Sequence, residues 1–180
     1  MDKHSGFTLI ELLISIVVLA VVLALGIPSF QEFIKNNRLA GQTNDLVMAI
    51  QMARNEAVKR GTGSVICASN NQATCSESDD WTTGWIVFSD LDQEGDFEPN
   101  ANGYEDCEKD DCIVRTRGNV IKGSISGNGA TLIQFRPDGL LDAGGAITLT
   151  LTADDCYKNQ VRAVTISALG QTTITKQACP

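Results

Sequence analysis

From Phe7 to Phe30 the chain reads FTLIELLISIVVLAVVLALGIPSF, 24 residues of almost unbroken apolar sequence. Crossing hydrocarbon takes about 20 such residues as a helix, so this stretch is long enough to span a bilayer. One side chain conflicts with that use. Glu11 places a carboxylate near the start of the run, and an acid in hydrocarbon is costly enough that it is ordinarily functional and partnered. A conventional secretory signal would have a shorter apolar core ending in small residues, and no Ala-x-Ala-like end occurs here. A plain anchor fits the length but leaves Glu11 without a purpose. A third arrangement puts the cut before the run, after Ser5-Gly6, and keeps the span on the mature chain.

The stretch Gly6-Phe7-Thr8-Leu9-Ile10-Glu11 resembles the processing site of type IV prepilins and pseudopilins, where a short polar leader ends in Gly, followed by Phe and then by an acid. The resemblance implies that a prepilin peptidase cuts between Gly6 and Phe7 and methylates the new amine of Phe7. Residues 1–6 then form the leader, whose Lys3 favours the cytoplasmic side. Residues 7–30 form the span, later the filament core. Cleavage leaves a charged amine on Phe7 about one helical turn from Glu11. Packed side by side, one subunit's Glu11 can meet another's Phe7 amine, so that each buried charge gains a partner and the pair sets the axial register.

Past Pro28 the helical period persists. Phe30, Phe33, Ile34, Leu46, Val47, Ile50, Ala53 and Ala57 recur at spacings of three and four, with Glu32, Lys35, Asn36, Arg38, Arg54 and Lys59 between them. This predicts an amphipathic helix over 31–60, stopped at Arg60-Gly61. Taken together, 7–60 would be about 80 Å of helix. Gly26 and Pro28 predict a kink, because proline removes one donor and crowds the preceding turn.

After Gly61 the character changes to short apolar-rich runs between turn signals: 64–67, 85–88, 112–115, 131–135, 147–151, 161–166 and 172–175. Several alternate apolar with polar residues, as half-buried antiparallel strands do. The expected fold class is therefore α+β: a long kinked N-terminal helix packed against an antiparallel β-sheet domain over 61–180. This half carries a second resemblance. Trp81-Thr82-Thr83-Gly84-Trp85-Ile86-Val87-Phe88-Ser89-Asp90 is similar to the W-x-x-G-W-x-V-F-x-D stretch of the GspH/FimT group of minor pilins. Phe135-Arg136-Pro137-Asp138-Gly139 resembles that group's F-x-P-x-G turn, and Val164-Thr165-Ile166-Ser167 leading to Gly170 resembles its closing strand. Within the group, FimU-like minor pilins of type IV pili are the nearest in pattern. The resemblance implies partners: other minor pilins, the major pilin, the inner-membrane assembly platform and the prepilin peptidase. It also implies a location, inner membrane with the globular domain facing the periplasm and then the extracellular pilus. A type II secretion pseudopilin shares the first 60 residues and stays open as an alternative, as does a DNA receptor.

The six cysteines all follow the apolar run, with no Cys-x-x-Cys and with His4 as the single histidine. Disulfides in an exported domain fit this better than zinc. Six cysteines admit fifteen pairings, of which local loop closure favours Cys67–Cys75 and Cys107–Cys112, leaving Cys156–Cys179 for the C-terminus. No histidine-based site, Gly-x-Ser-x-Gly elbow or P-loop is present, so the chain does not read as an enzyme, and no cofactor is implied. Asp90, Asp92, Glu94 and Asp96 place oxygen ligands at alternate positions, like the opening of a calcium loop. The twelfth position, however, is Ala101 rather than an acid. Residues 61–180 hold 17 Asp and Glu against 8 Lys and Arg, a field that repels phosphate backbones. DNA-binding members of the group carry Gly-Arg-x-Arg near the closing turn, where this chain has Gly170-Gln171-Thr172-Thr173. DNA is therefore not an expected partner.

Overall fold

The computed structural model describes residues 7–97 and 110–180, apart from the side chain of Pro28. The chain divides into two compact units, Met1–Arg38 and Leu39–Pro180. A helix, α1 (Leu9–Arg60), begins in the first and ends in the second. Gly26 and Pro28 lie inside α1, so this sequence does not terminate the helix. Through its last turn the Gly61 N–H donates to the Ala57 carbonyl (2.9 Å) with Gly61 at φ 69°, the left-handed stop that glycine accepts without strain.

Among the described residues the first unit has no second element to cover its helix, and its apolar side chains stay exposed, Phe30, Phe33 and Ile34 among them. Burial begins at Leu39. From there Leu46, Ala49, Ile50, Ala53 and Ala57 form one fully buried stripe at helical spacing. The apolar period that runs through 30–57 thus has two fates.

Among its described residues the second unit carries eight strands: β1 (Gly63–Ala68), β2 (Trp85–Asp90), β3 (Cys112–Arg117), β4 (Gly123–Ser126), β5 (Leu132–Phe135), β6 (Ile147–Ala153), β7 (Val161–Ile166) and β8 (Thr172–Gln177). They form two four-stranded antiparallel sheets rather than one, ordered β3-β2-β1-β5 and β4-β6-β7-β8. β4 escapes the sequence because Gly-Ser-Ile-Ser looks like a turn; it is a strand because it pairs with β6 and buries Ile125. In β1 and β2 every residue is buried. Period two explains how: Ile66, Ala68, Trp85 and Val87 join the main core with α1, while Val65, Cys67, Ile86 and Phe88 form a second cluster on the opposite face. Phe97 closes that cluster, edge-to-face on Phe88 at 5.3 Å.

The family-like motif between β1 and β2 is mostly packing. Asp80 caps a short 3-10 turn over Trp81–Thr83, accepting from the Thr82 N–H. Trp81 is fully buried and its Nε1 donates to the Ala130 carbonyl (2.8 Å). A Cβ on Gly84, at φ 119°, would lie 2.2 Å from the Arg117 carbonyl, so the backbone crossing admits only glycine.

Candidate functional site

At the head of α1, Thr8 and Glu11 form a reciprocal cap. The Glu11 carboxylate accepts from the Thr8 N–H (2.9 Å) and the Thr8 hydroxyl (2.7 Å), both at Oε2. The Glu11 N–H points back to Thr8 Oγ1 at 3.4 Å. This is the capping-box pairing, which satisfies donors that a helix start otherwise leaves open. Thr8 is not among the residues that the apolar run or the cleavage junction marks. Its signal is the Thr-x-x-Glu spacing itself. Ser15 extends the polar thread, donating to the Glu11 carbonyl at 2.7 Å. The arrangement holds the acid at the helix start, beside the Phe7–Thr8 junction, with Oε1 left to accept another donor. Phe7 is 83% exposed; Gly6, the other half of the expected cleavage pair, lies outside the described residues. An 18-residue window of α1 reaches a mean hydropathy of 2.9, enough to cross a membrane by length and composition.

A second polar grouping sits where β2 ends. Because Ser89 pairs with Cys112, Asp90 at the end of β2 comes beside Asp111, the residue just before β3. Asp90, Asp92 and Asp111 offer carboxylate oxygens all within 4.8 Å of one another. Glu94 and Asp96, the other two candidate calcium ligands, are exposed and outside this group. Alternate spacing along one loop says nothing about a cross-strand neighbour, which is why Asp111 joins the group while Glu94 and Asp96 do not. Asp90 is fully buried and accepts from the Gln93 N–H (2.8 Å), the Gly95 N–H (3.2 Å) and Gln134 Nε2 (2.9 Å). Its partners fold the loop over the end of the sheet.

Burial, then the Asp92 contact and the Asp111 charge, push the Asp90 carboxyl from 3.8 up to about 6, against the pull of the Gln93 N–H. An acid raised on folding carries no penalty below its unfolded value. The penalty grows as pH rises between 3.8 and about 6 and is complete above that. Asp90→Asn should therefore gain stability relative to the parent by about 2–3 kcal/mol on going from pH 4 to pH 7. Urea unfolding of both proteins at several pH values measures this; a difference that does not change with pH would rule out a titrating Asp90.

Two disulfides are described. Cys67 joins Cys75, and Cys156 joins Cys179, with Cα separations of 5.6 and 5.8 Å. The Cys107–Cys112 pairing lies outside the described residues, because Cys107 does. Three of the cations after Gly61 are already engaged or covered. Arg117 pairs with Asp45 (3.0 Å), Arg136 with Asp138 (2.8 Å), and Arg162 is buried. Arg54, which the sequence alone presents as a polar-face charge, instead ties two turns together. Its guanidinium donates to the Gly139 carbonyl (2.9 Å) and the Leu169 carbonyl (3.1 Å). A Cβ on Gly170 would lie 2.5 Å from the Gly139 carbonyl and 2.7 Å from Arg54 Nε, so the two motif glycines make room for one clamp.

Comparison with known proteins places these features. The prokaryotic N-terminal methylation motif matches residues 1–27, and the family described as type II transport protein GspH matches residues 42–170. Prepilin peptidase-dependent protein D of Escherichia coli is 40% identical over 47 residues, 26% of this chain and 32% of that protein. The chain thus spans about a third of that relative's length. The type IV minor pilin FimU of Pseudomonas aeruginosa, in one crystal form, superposes over 82% of this chain and 99% of its own with a TM-score of 0.57 and 18% identity. A second crystal form gives 0.52 over 76% and 96%, again at 18% identity. These likenesses show the fold; the family match, covering well over half the chain, shows more: the chain belongs to the GspH family of type IV minor pilins and pseudopilins.

Proposed function

We propose that this protein is a minor pilin of a type IV pilus, made as a membrane-held precursor that is cut after Gly6 and methylated on Phe7. The observation that carries the reading is the Gly6-Phe7 junction followed by the apolar helix, with Glu11 held at its head by Thr8. In this reading the folded unit faces the periplasm until assembly carries it outside. The protein helps to initiate or cap the filament near its tip, alongside other minor pilins, the major pilin and the inner-membrane platform. It supports twitching motility and adhesion through assembly rather than by catalysis. Inside the filament, Glu11 of one subunit meets the Phe7 amine of another, and Gly26 with Pro28 lets α1 bend as neighbours pack.

The family description as a type II transport protein favours a second reading, a minor pseudopilin of a secretion machine. Deleting the gene distinguishes them: lost piliation with intact secretion supports the pilus, and the reverse supports the secretion machine. The processing step has its own test. Intact-mass analysis of the mature protein should show loss of residues 1–6, one methyl group gained and all six cysteines oxidised. A mass that retains the leader would refute the scheme.

A further inference from the structure

Among the described residues, β8 is the outer strand of its sheet, paired on one side only, with β7. The other three edges are each blunted. β3 carries a register shift against β2, and β4 and β5 are four residues long. β4 is also bridged at Ser126 and β5 at Phe135. β8 runs six residues in unbroken register, without proline, and is exposed along nearly its whole length. An edge of that kind presents free N–H and C=O groups and is a template for another strand.

The side chains beside this edge are those of a surface with a missing neighbour. On one face, Ile166, Val164 and Arg162 of β7 stand opposite Thr172, Ile174 and Lys176 of β8. The β7 members are 0%, 0% and 7% exposed, whereas Ile174 is 44% exposed. Cover that is complete on one strand stops at the next. An open trough of about 310 Å³ lies beside the start of β8, lined by Gln51, Arg54 and Asn55 of α1 and by Gly170, Gln171 and Thr172.

Charge says what the neighbour brings. Buried guanidinium groups are ordinarily paired with acids. Arg162 donates through Nη1 to the carbonyls of Asn159 (2.7 Å) and Val161 (2.9 Å), and among the described residues it has no carboxylate partner. Burial lowers its pKa. Directly across from it is a second cation, Lys176, and like charges facing each other across strands are unfavourable. Two cations side by side on a chain of net charge −8 are relieved by an acid from outside.

We propose that the free edge of β8 receives an extended, acid-bearing segment of a neighbouring pilin subunit. That segment adds as a further strand and sets its carboxylate beside Lys176, one strand out from Arg162. Main-chain hydrogen bonds then supply the affinity and the acid supplies the register, the division of labour found in strand addition generally. This rests on the pilin reading above, and the test separates the two.

A photo-crosslinking residue is placed at Thr175 of the full-length protein, and in a second strain at Leu13 of α1, each in cells assembling filaments. From Thr175, adducts should map by mass spectrometry to an extended acidic segment of another pilin. Lys176→Glu, an exposed change that leaves folding intact, should cut those adducts about tenfold, and reversing the mapped acid to Lys should restore them. Adducts from Leu13 without any subunit adduct from Thr175, or Thr175 adducts indifferent to Lys176→Glu, would overturn the proposal while leaving the pilin reading in place. Absence of pilin adducts from both positions would overturn the pilin reading and the proposal with it.

Discussion

Glu11→Ala should insert into the membrane as well as the parent and yet enter filaments about a hundredfold less. The two halves of this result come from different environments. In the lone subunit, removing Glu11 dissolves the cap with Thr8, a loss of about 0.5–2 kcal/mol at a helix start. It also removes an acid from the apolar run, where an acid is costly, so insertion does not suffer. In the filament pairing proposed above, the variant leaves the partner amine buried without its acid. Breaking one side of a buried pair costs about 3–5 kcal/mol, and every 1.4 kcal/mol is about tenfold in occupancy. Comparing variant protein in sheared filaments with that left in membranes measures the ratio. Normal incorporation would mean that the acid meets no amine and that its contact with Thr8 is its whole role.

Trp81→Ala should lower the stability of the folded unit by about 3–5 kcal/mol, the range for truncating a large buried aromatic. A domain of this kind has only about 5–15 kcal/mol in hand. Trp81 has no exposed surface, donates to the Ala130 carbonyl, and sits so close to Gly127 that a Cβ there would lie 2.6 Å from Nε1. The cavity cannot refill easily, because the chain around it is held by the Asp80 cap and by the Gly84 crossing under Arg117. Trp81→Phe separates the terms: it keeps much of the volume and loses the hydrogen bond, so it should fall between parent and alanine variant. The urea midpoint of the full chain in detergent is the readout. An alanine variant within about 1 kcal/mol of the parent would show that this motif tryptophan is not a keystone of the core.

The two substitutions probe opposite ends of what a linear pattern can reveal. Glu11 stands out because one charge interrupts 24 apolar residues, and the conflict exists before any folding. Trp81 and Trp85 stand out as a motif, but their burial is a property of β2, the turn before it and α1 together. The acidic loop shows the boundary most clearly. Alternate acids at 90, 92, 94 and 96 are visible in the chain, whereas the group that forms is Asp90, Asp92 and Asp111, joined across the β2–β3 pairing. Arg54 is similar: a helical cation by sequence, it meets carbonyls 85 and 115 residues away.

Local periodicity was enough for α1, for its glycine stop and for seven of the eight strands, because helix and strand patterns repeat within a few residues. The Thr8–Glu11 cap also has a local signal, the Thr-x-x-Glu spacing, because it involves neighbours along the chain. Tertiary structure alone decided that there are two sheets, that Gly-Ser-Ile-Ser is a strand, and that the apolar stripe of α1 is buried from Leu39 on while Phe30, Phe33 and Ile34 stay exposed. Arg162, which among the described residues has no carboxylate partner and stands opposite Lys176, belongs to the same class. Each of these depends on which distant segment supplies cover or a hydrogen-bond partner, and long-range pairing is information that short-range spacing does not contain.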